Sequence, residues 1–164
     1  MALVATTKGN QEVKTVEARS DKRLTEDLLE RLLASSSIEA YLDDETLRNR
    51  FLPDYLKEVL AEKGLKRSDV IRASGINSTV VYDIFAGKSN PGRDHAIMLA
   101  FGMNCNLRET QGLLRQAGVS ELYSKIRRDA IIIWCIEQGL SRAQTDDELF
   151  SFNEKTLLGT GKLS

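Results

Sequence analysis

A chain of 164 residues, 41% hydrophobic and 29% charged, is long enough to bury a sizeable core and lies in the ordinary globular range, which excludes disorder over its whole length. A net charge of −1 speaks against indiscriminate binding to nucleic acid, and the apolar run Ala130 to Ile136 is far shorter than the ~20 residues needed to span a bilayer. Only Pro53 and Pro91 interrupt the chain, so helices can run between glycines, and an all-α fold is expected.

Residues 1–20 are polar, lack periodicity and are expected to form a disordered tail. Residues 21–50 read as an N-terminal helical extension. In TEDLLERLLAS, Leu28, Leu29, Leu32 and Leu33 recur at helical spacing behind Thr25 as N-cap, and after the serines at 35–37 a second helical piece covers Ile38 to Leu47.

Residues 51–118 read as five compact helices. Pro53 suits the first turn of one in which Leu52, Tyr55, Leu56, Val59 and Leu60 share a face before Gly64. Ser68 is expected to cap the next, with Val70, Ile71 and Ile76 facing inward, and Gly75 ends it where a left-handed residue is needed. Asn77 then caps a third helix that buries Val81, Ile84 and Phe85 and stops at Gly87. After the loop KSNPG the helical period resumes from Arg93 to Phe101, and Asn106 with Glu109 forms an Asn variant of the capping box at the start of a fifth helix, which ends before Gly118.

Residues 119–164 read as a C-terminal helical extension that covers either the domain or a dimer partner. Ser120 is expected to cap a long helix through Gln138, and its AIIIWCI segment, apolar on every side, implies burial all round. Thr145 to Phe152 and Lys155 to Leu158 read as a short helix and a tail that folds back.

Charge is segregated along the chain. Residues 1–50 carry 8 basic and 10 acidic side chains, residues 51–128 carry 12 and 8, and residues 129–164 carry 3 and 6. The basic excess therefore coincides with the stretch ASGINSTVVYDIFAGKSNPG, in which two short helices meet at a glycine corner.

Such a corner is a way to present one helix to the major groove of DNA, about 12 Å wide, while its predecessor holds it at a fixed inclination; it also occurs in helical bundles with no DNA role. On the presented helix Asn77, Ser78, Thr79, Tyr82 and Asp83 are the candidates for base contact. Lys66, Arg67, Ser68, Lys88, Ser89, Asn90 and Arg93 are the candidates for phosphate contact around its rim.

LKRSDVIRASGINSTVVYDIFAGKSNP, followed by HAIMLAFGMNCNLRETQGLLRQAG, resembles the phage-repressor or Xre-type helix-turn-helix domain over residues 51–118. GRDHAIMLAFGM, LRETQGLLRQAGVSELY, RRDAIII and the closing EKTL extend the likeness to about residue 158, toward a bacterial group with an extra helical segment after the domain. The resemblance implies a five-helix repressor-like fold and a transcription regulator. Two features depart from the family's pattern: Ile71 stands where alanine is usual, which implies a wider helix crossing, and the presented face lacks the Arg, Gln or Asn that relatives use for bidentate base contacts. Asp83 suits DNA only as an acceptor from a cytosine amino group.

The expectation is thus a cytoplasmic protein, since no export signal opens the chain, that is not an enzyme, needs no cofactor or metal, and binds double-stranded DNA sequence-specifically. If it is a homodimer, its recognition helices should meet half-sites roughly 34 Å apart. The alternative is a protein-interaction module on a repressor-like fold that has lost strong DNA reading and uses Val80, Tyr82 and the Phe85 side to bind a regulatory partner. Isolated His95 reads as a surface residue, the runs Asp43–Glu45 and Asp146–Glu148 as solvated faces or helix starts, Arg127 and Arg128 as solvated or salt-bridged, and Cys105 and Cys135 as buried thiols.

Overall fold

The computed structural model describes residues 26–43 and 52–159, and every regular element among them is a helix. The chain divides after Arg48 into two compact units. Among the described residues no helix is long and apolar enough to cross a membrane.

In the first unit α1 spans 26–34 and α2 spans Ile38–Leu42. Ser35 Oγ donates to Arg31 O at 2.7 Å and closes α1, and Ser37 Oγ accepts from Ala40 N–H at 3.1 Å and opens α2, so the serine run breaks and restarts the helix. Thr25, the polar tail and the part of the second helix expected beyond Asp43 lie outside the described residues.

The second unit holds seven helices among its described residues: α3 Leu52–Lys63, α4 Arg67–Ser74, α5 Ser78–Phe85, α6 Arg93–Gly102, α7 Leu107–Gln116, α8 Arg127–Glu137 and α9 Arg142–Ser151. Pro53 is buried in the first turn of α3, and at its end Gly64 turns left-handed (φ 63°) so that Leu65 N–H reaches Leu60 O at 3.0 Å. The start of α4 corrects the expectation for Ser68. Lys66 occupies the N-cap position, and Asp69 reaches back to accept its N–H at 2.9 Å, which leaves Ser68 exposed inside the first turn. For α7 the capping box forms as the sequence indicates, with Glu109 N–H on Asn106 Oδ1 at 2.9 Å and Asn106 N–H on Glu109 Oε1 at 3.0 Å.

Helix α6 is the axle of this unit. Its residues from Ala96 to Ala100 are all buried, because α4, α7 and α9 surround it. It approaches α4 so closely that a Cβ on Gly102 would stand 2.9 Å from Ser74 Cβ and 2.9 Å from Val70 O. Only glycine fits there.

The C-terminal segment is part of the same core. Ile132, Leu149 and Leu157 join the buried cluster, and Asp146 accepts from Leu157 N–H (2.6 Å), Leu158 N–H (3.2 Å) and Arg142 Nη1 (2.6 Å). The tail folds back as expected, but Asp146 is buried inside a helix and ties it down, where the run Asp146–Glu148 was expected to be a solvated face or a helix start. Three further expectations are corrected. Ser120 caps nothing: Gln111 brackets Leu122 with two 2.8 Å bonds, Tyr123 N–H goes to Asp129, and the long helix begins at Arg127. The apolar segment of α8 is buried on one side only, and Trp134 is 53% exposed. The short helix predicted from Thr145 starts three residues earlier, where Ser141 and Gln144 make a capping box.

Asp129 is 1% exposed and is held by Arg93 Nη1 (2.9 Å), Arg93 Nη2 (2.6 Å) and Tyr123 N–H (3.0 Å). Burial pushes its carboxyl up, but hydrogen bonds from Arg93 and Tyr123, with the charges of Arg93 and Arg128, outweigh that and hold it below the ordinary carboxylate range. A lowered carboxyl contributes stability that is complete above the unfolded value of about 3.9 and is lost as pH falls through the folded value.

Two outcomes are expected in urea unfolding. Gly102→Ala lowers stability by about 1–3 kcal/mol through forced separation of α4 and α6. Asp129→Asn, which removes the carboxylate charge opposite Arg93, lowers it by about 3 kcal/mol at neutral pH, and the cost shrinks as the pH is lowered below about 4; a pH-independent cost contradicts the assignment.

Candidate nucleic-acid interface

Between α4 and α5 the chain turns in three residues. Gly75 takes φ 76° while its N–H still reaches Ile71 O at 3.2 Å, Ser74 Oγ receives Ile76 N–H at 3.2 Å, and Asn77 Oδ1 caps α5 by accepting from Thr79 N–H at 2.9 Å. Ile76 is buried inside the corner, and this apolar anchor together with the two side-chain caps fixes where α5 begins.

Helix α5 is sharply two-sided. Val81, Ile84 and Phe85 are at most 1% exposed and face the core, whereas Asn77, Ser78, Thr79 and Tyr82 face away from it and Asp83 sits half-buried at the boundary. The structure therefore brings four of the five base-contact candidates to one outward stretch and leaves Asp83 at its edge. Arg67 lies over the Tyr82 ring with its guanidinium carbon 5.8 Å from the centroid, which ties the start of α4 to the second turn of α5.

The rim candidates divide. Lys66, Arg67 and Ser68 are exposed where α4 begins, and Lys88, Ser89 and Asn90 are exposed after α5. Their loop is held by backbone bonds from Lys88 and Ser89 to Asp83 O at 2.8 and 3.3 Å and by buried Pro91. Arg93 is the correction. Its Nε donates to Ser120 O at 3.0 Å and its Nη2 to Glu121 O at 2.9 Å, in addition to the Asp129 pair, so its guanidinium is spent inside the protein. The Asp129 hydrogen bond raises its pKa against the opposing effect of burial. Arg128 is likewise spent, on Asp94 at 2.8 and 3.1 Å and on Lys155 O at 2.9 Å, and Arg127 pairs with Glu154 at 3.1 Å.

Two cationic residues were not singled out by sequence reasoning. Arg72, with a side chain 77% exposed, stands on α4 paired to Asp69 at 3.1 Å. Arg142 comes from α9 and lies behind the corner, where a Cβ on Gly75 would meet its Nε at 3.0 Å. The sequence does offer an i, i+4 pairing of Arg142 with Asp146, but nothing local indicates that the pair would back Gly75, far earlier in the chain.

The thiols are poor nucleophiles: burial, with some help from Glu109, pushes Cys105 up to about 12, and burial also raises Cys135. His95 is exposed, and among the described residues no group of three or more His, Cys, Asp or Glu side chains is placed to hold a metal ion.

Gly75→Ala is expected to cost about 1–2 kcal/mol from the left-handed backbone alone, with a further loss from collision with Arg142. A double-mutant cycle in urea with Arg142→Ala should recover that further loss, and strict additivity would contradict the backing contact.

No family model matches this chain, and comparison with curated proteins and with solved structures found no match either.

Proposed function

We propose that this chain is a cytoplasmic, bacterial-type transcription regulator that binds double-stranded DNA sequence-specifically, with α4 and α5 acting as a helix-turn-helix of the phage-repressor or Xre type. The observation that carries the reading is the two-sided α5: a firmly anchored helix of 8 residues whose outward side is polar and unobstructed by the described parts of its own unit. Exposed cations at the beginning of α4 and after α5 flank it on both sides in sequence, as phosphate contacts flank a base-reading helix. No catalytic step belongs to this reading.

In this role Ser78, Thr79 and Tyr82 read base edges or a thymine methyl, and Asn77 contributes from the cap position. Asp83, being half-buried, is the weakest of the five base-contact candidates. Lys66, Arg67, Lys88 and now Arg72 supply charge to phosphates, while Ser68, Ser89 and Asn90 supply neutral donors. Tyr82 offers an aromatic platform already braced by Arg67.

One observation favours the second reading, a module that binds a regulatory protein. The outward face of α5 carries neither Arg, Lys nor Gln, and its largest exposed side chain is Tyr82 at 48%. The partner surface in that case is Tyr82 with half-buried Val80; Phe85, at 1% exposure, is not part of it.

Selection of duplex DNA from random oligonucleotides, followed by titration of the recovered sequence at increasing salt, separates the two. The DNA reading predicts an enriched sequence and affinity that falls steeply with salt. It also predicts that Lys66→Ala, Arg67→Ala and Lys88→Ala each lower the slope of log affinity against log salt by about 1. Thr79→Ala and Tyr82→Ala should alter the enriched sequence more than the slope. Absence of binding at low ionic strength overturns the reading.

A further inference from the structure

Helix α8 leaves one face exposed among the described residues, with Arg127 at its edge paired to Glu154, and its chemistry is self-complementary. Asp129, Ile132 and Cys135 turn into the core. A quarter-turn or more away, the helical repeat aligns Arg127, Ala130, Trp134 and Glu137 along the outer side. Trp134 is 53% exposed, Ala130 is half-buried, the Arg127 side chain is 64% exposed, and Glu137 is exposed. A large aromatic thus stands one turn from a small residue, with a cation near one end of the helix and an anion at the other.

We infer that the chain pairs with a second copy of itself through this face, the two α8 helices packing antiparallel about a two-fold axis level with Ile132. Positions equidistant from the axis then oppose each other. Trp134 of each copy covers Ala130 of the other, a large side chain over a small one that permits close helix approach, and Arg127 of each faces Glu137 of the other. The charge pairing selects the antiparallel arrangement, since a parallel one sets like charges side by side. The contact uses the same patch on both copies, so it closes at two. The Arg127–Glu154 pair at 3.1 Å places the end of α9 beside the start of α8, where exposed Ile126, Phe150 and Phe152 enlarge the apolar surface at the margin of the contact. The inference does not rest on DNA binding, and a dimer indifferent to DNA would leave it intact.

Trp134 is the only tryptophan in the chain, so intrinsic fluorescence reports this face directly. In a dilution series of the full chain from high micromolar to nanomolar, sedimentation should show dimer giving way to monomer, with Trp134 emission moving to the red over the same range. Trp134→Ala should be monomeric throughout with an unchanged far-ultraviolet circular dichroism spectrum. Arg127→Glu and Glu137→Arg should each weaken self-association about tenfold, because each sets two like-charge pairs across the axis. Their equimolar mixture should associate as well as the parent, since both pairs match in the heterodimer. Monomer mass at every concentration overturns the proposal, as does a dimer whose Trp134 emission never changes or whose charge-reversed mixture gains nothing.

Discussion

How far α5 stands from the body of the protein is decided one helix earlier, where α4 lies against α6 with no side chain between them at Gly102. With Ser74 Cβ and Val70 O both 2.9 Å from where a Cβ would be, the backbones meet in direct contact, and α4 has no freedom to rise or sink on that side. Its last turn therefore delivers Gly75 to one place. The left-handed glycine, the Ser74 and Asn77 side-chain caps and buried Ile76 convert that fixed end into a fixed start for α5. A helix of 8 residues has little stability of its own, so its orientation is inherited from these contacts.

The segment after α7 serves the same purpose from behind. Its buried carboxylates each organise backbone that has no helical partner: Asp129 receives Tyr123 N–H and draws in Arg93, which satisfies two further carbonyls, while Asp146 receives the N–H groups of Leu157 and Leu158. Loss of either carboxylate would strand several polar groups at once, which is why such networks hold a single arrangement. Through Arg142 the second network also abuts Gly75, so the C-terminal helices support the corner as well as filling the core.

What could be read in the sequence was written in adjacent residues. Asn77, the Asn106–Glu109 pair, Pro53, Gly64 and Gly75 act within a turn of where they stand, and the helices they delimit lie where they indicate. Ser68 misled because Asp69 caps from inside the helix, a choice invisible when both residues are good first-turn neighbours. The loop after α7 was illegible for a different reason: its backbone is satisfied by Gln111, Arg93 and Asp129, and no local pattern announces that Ser120 will lose to them. Arg93 shows the same limit at the candidate site. Its position beside the KSNPG loop suggested phosphate, while its carboxylate partner lies in another helix. Periodicity identified the apolar segment of α8 but not that Trp134 would be left outside, since an all-round apolar helix and a helix with one adhesive face have similar compositions.

In the proposed function α5 is the element that enters a duplex. Amide resonances of the full chain, followed by NMR during titration with duplex DNA at low ionic strength, test this most directly. The expected shifts concentrate on Asn77 to Asp83, with a second set at Lys66 to Ser68 and at Lys88 to Asn90, and Arg93 stays unperturbed. Shifts confined to other helices, or none at all, would contradict it.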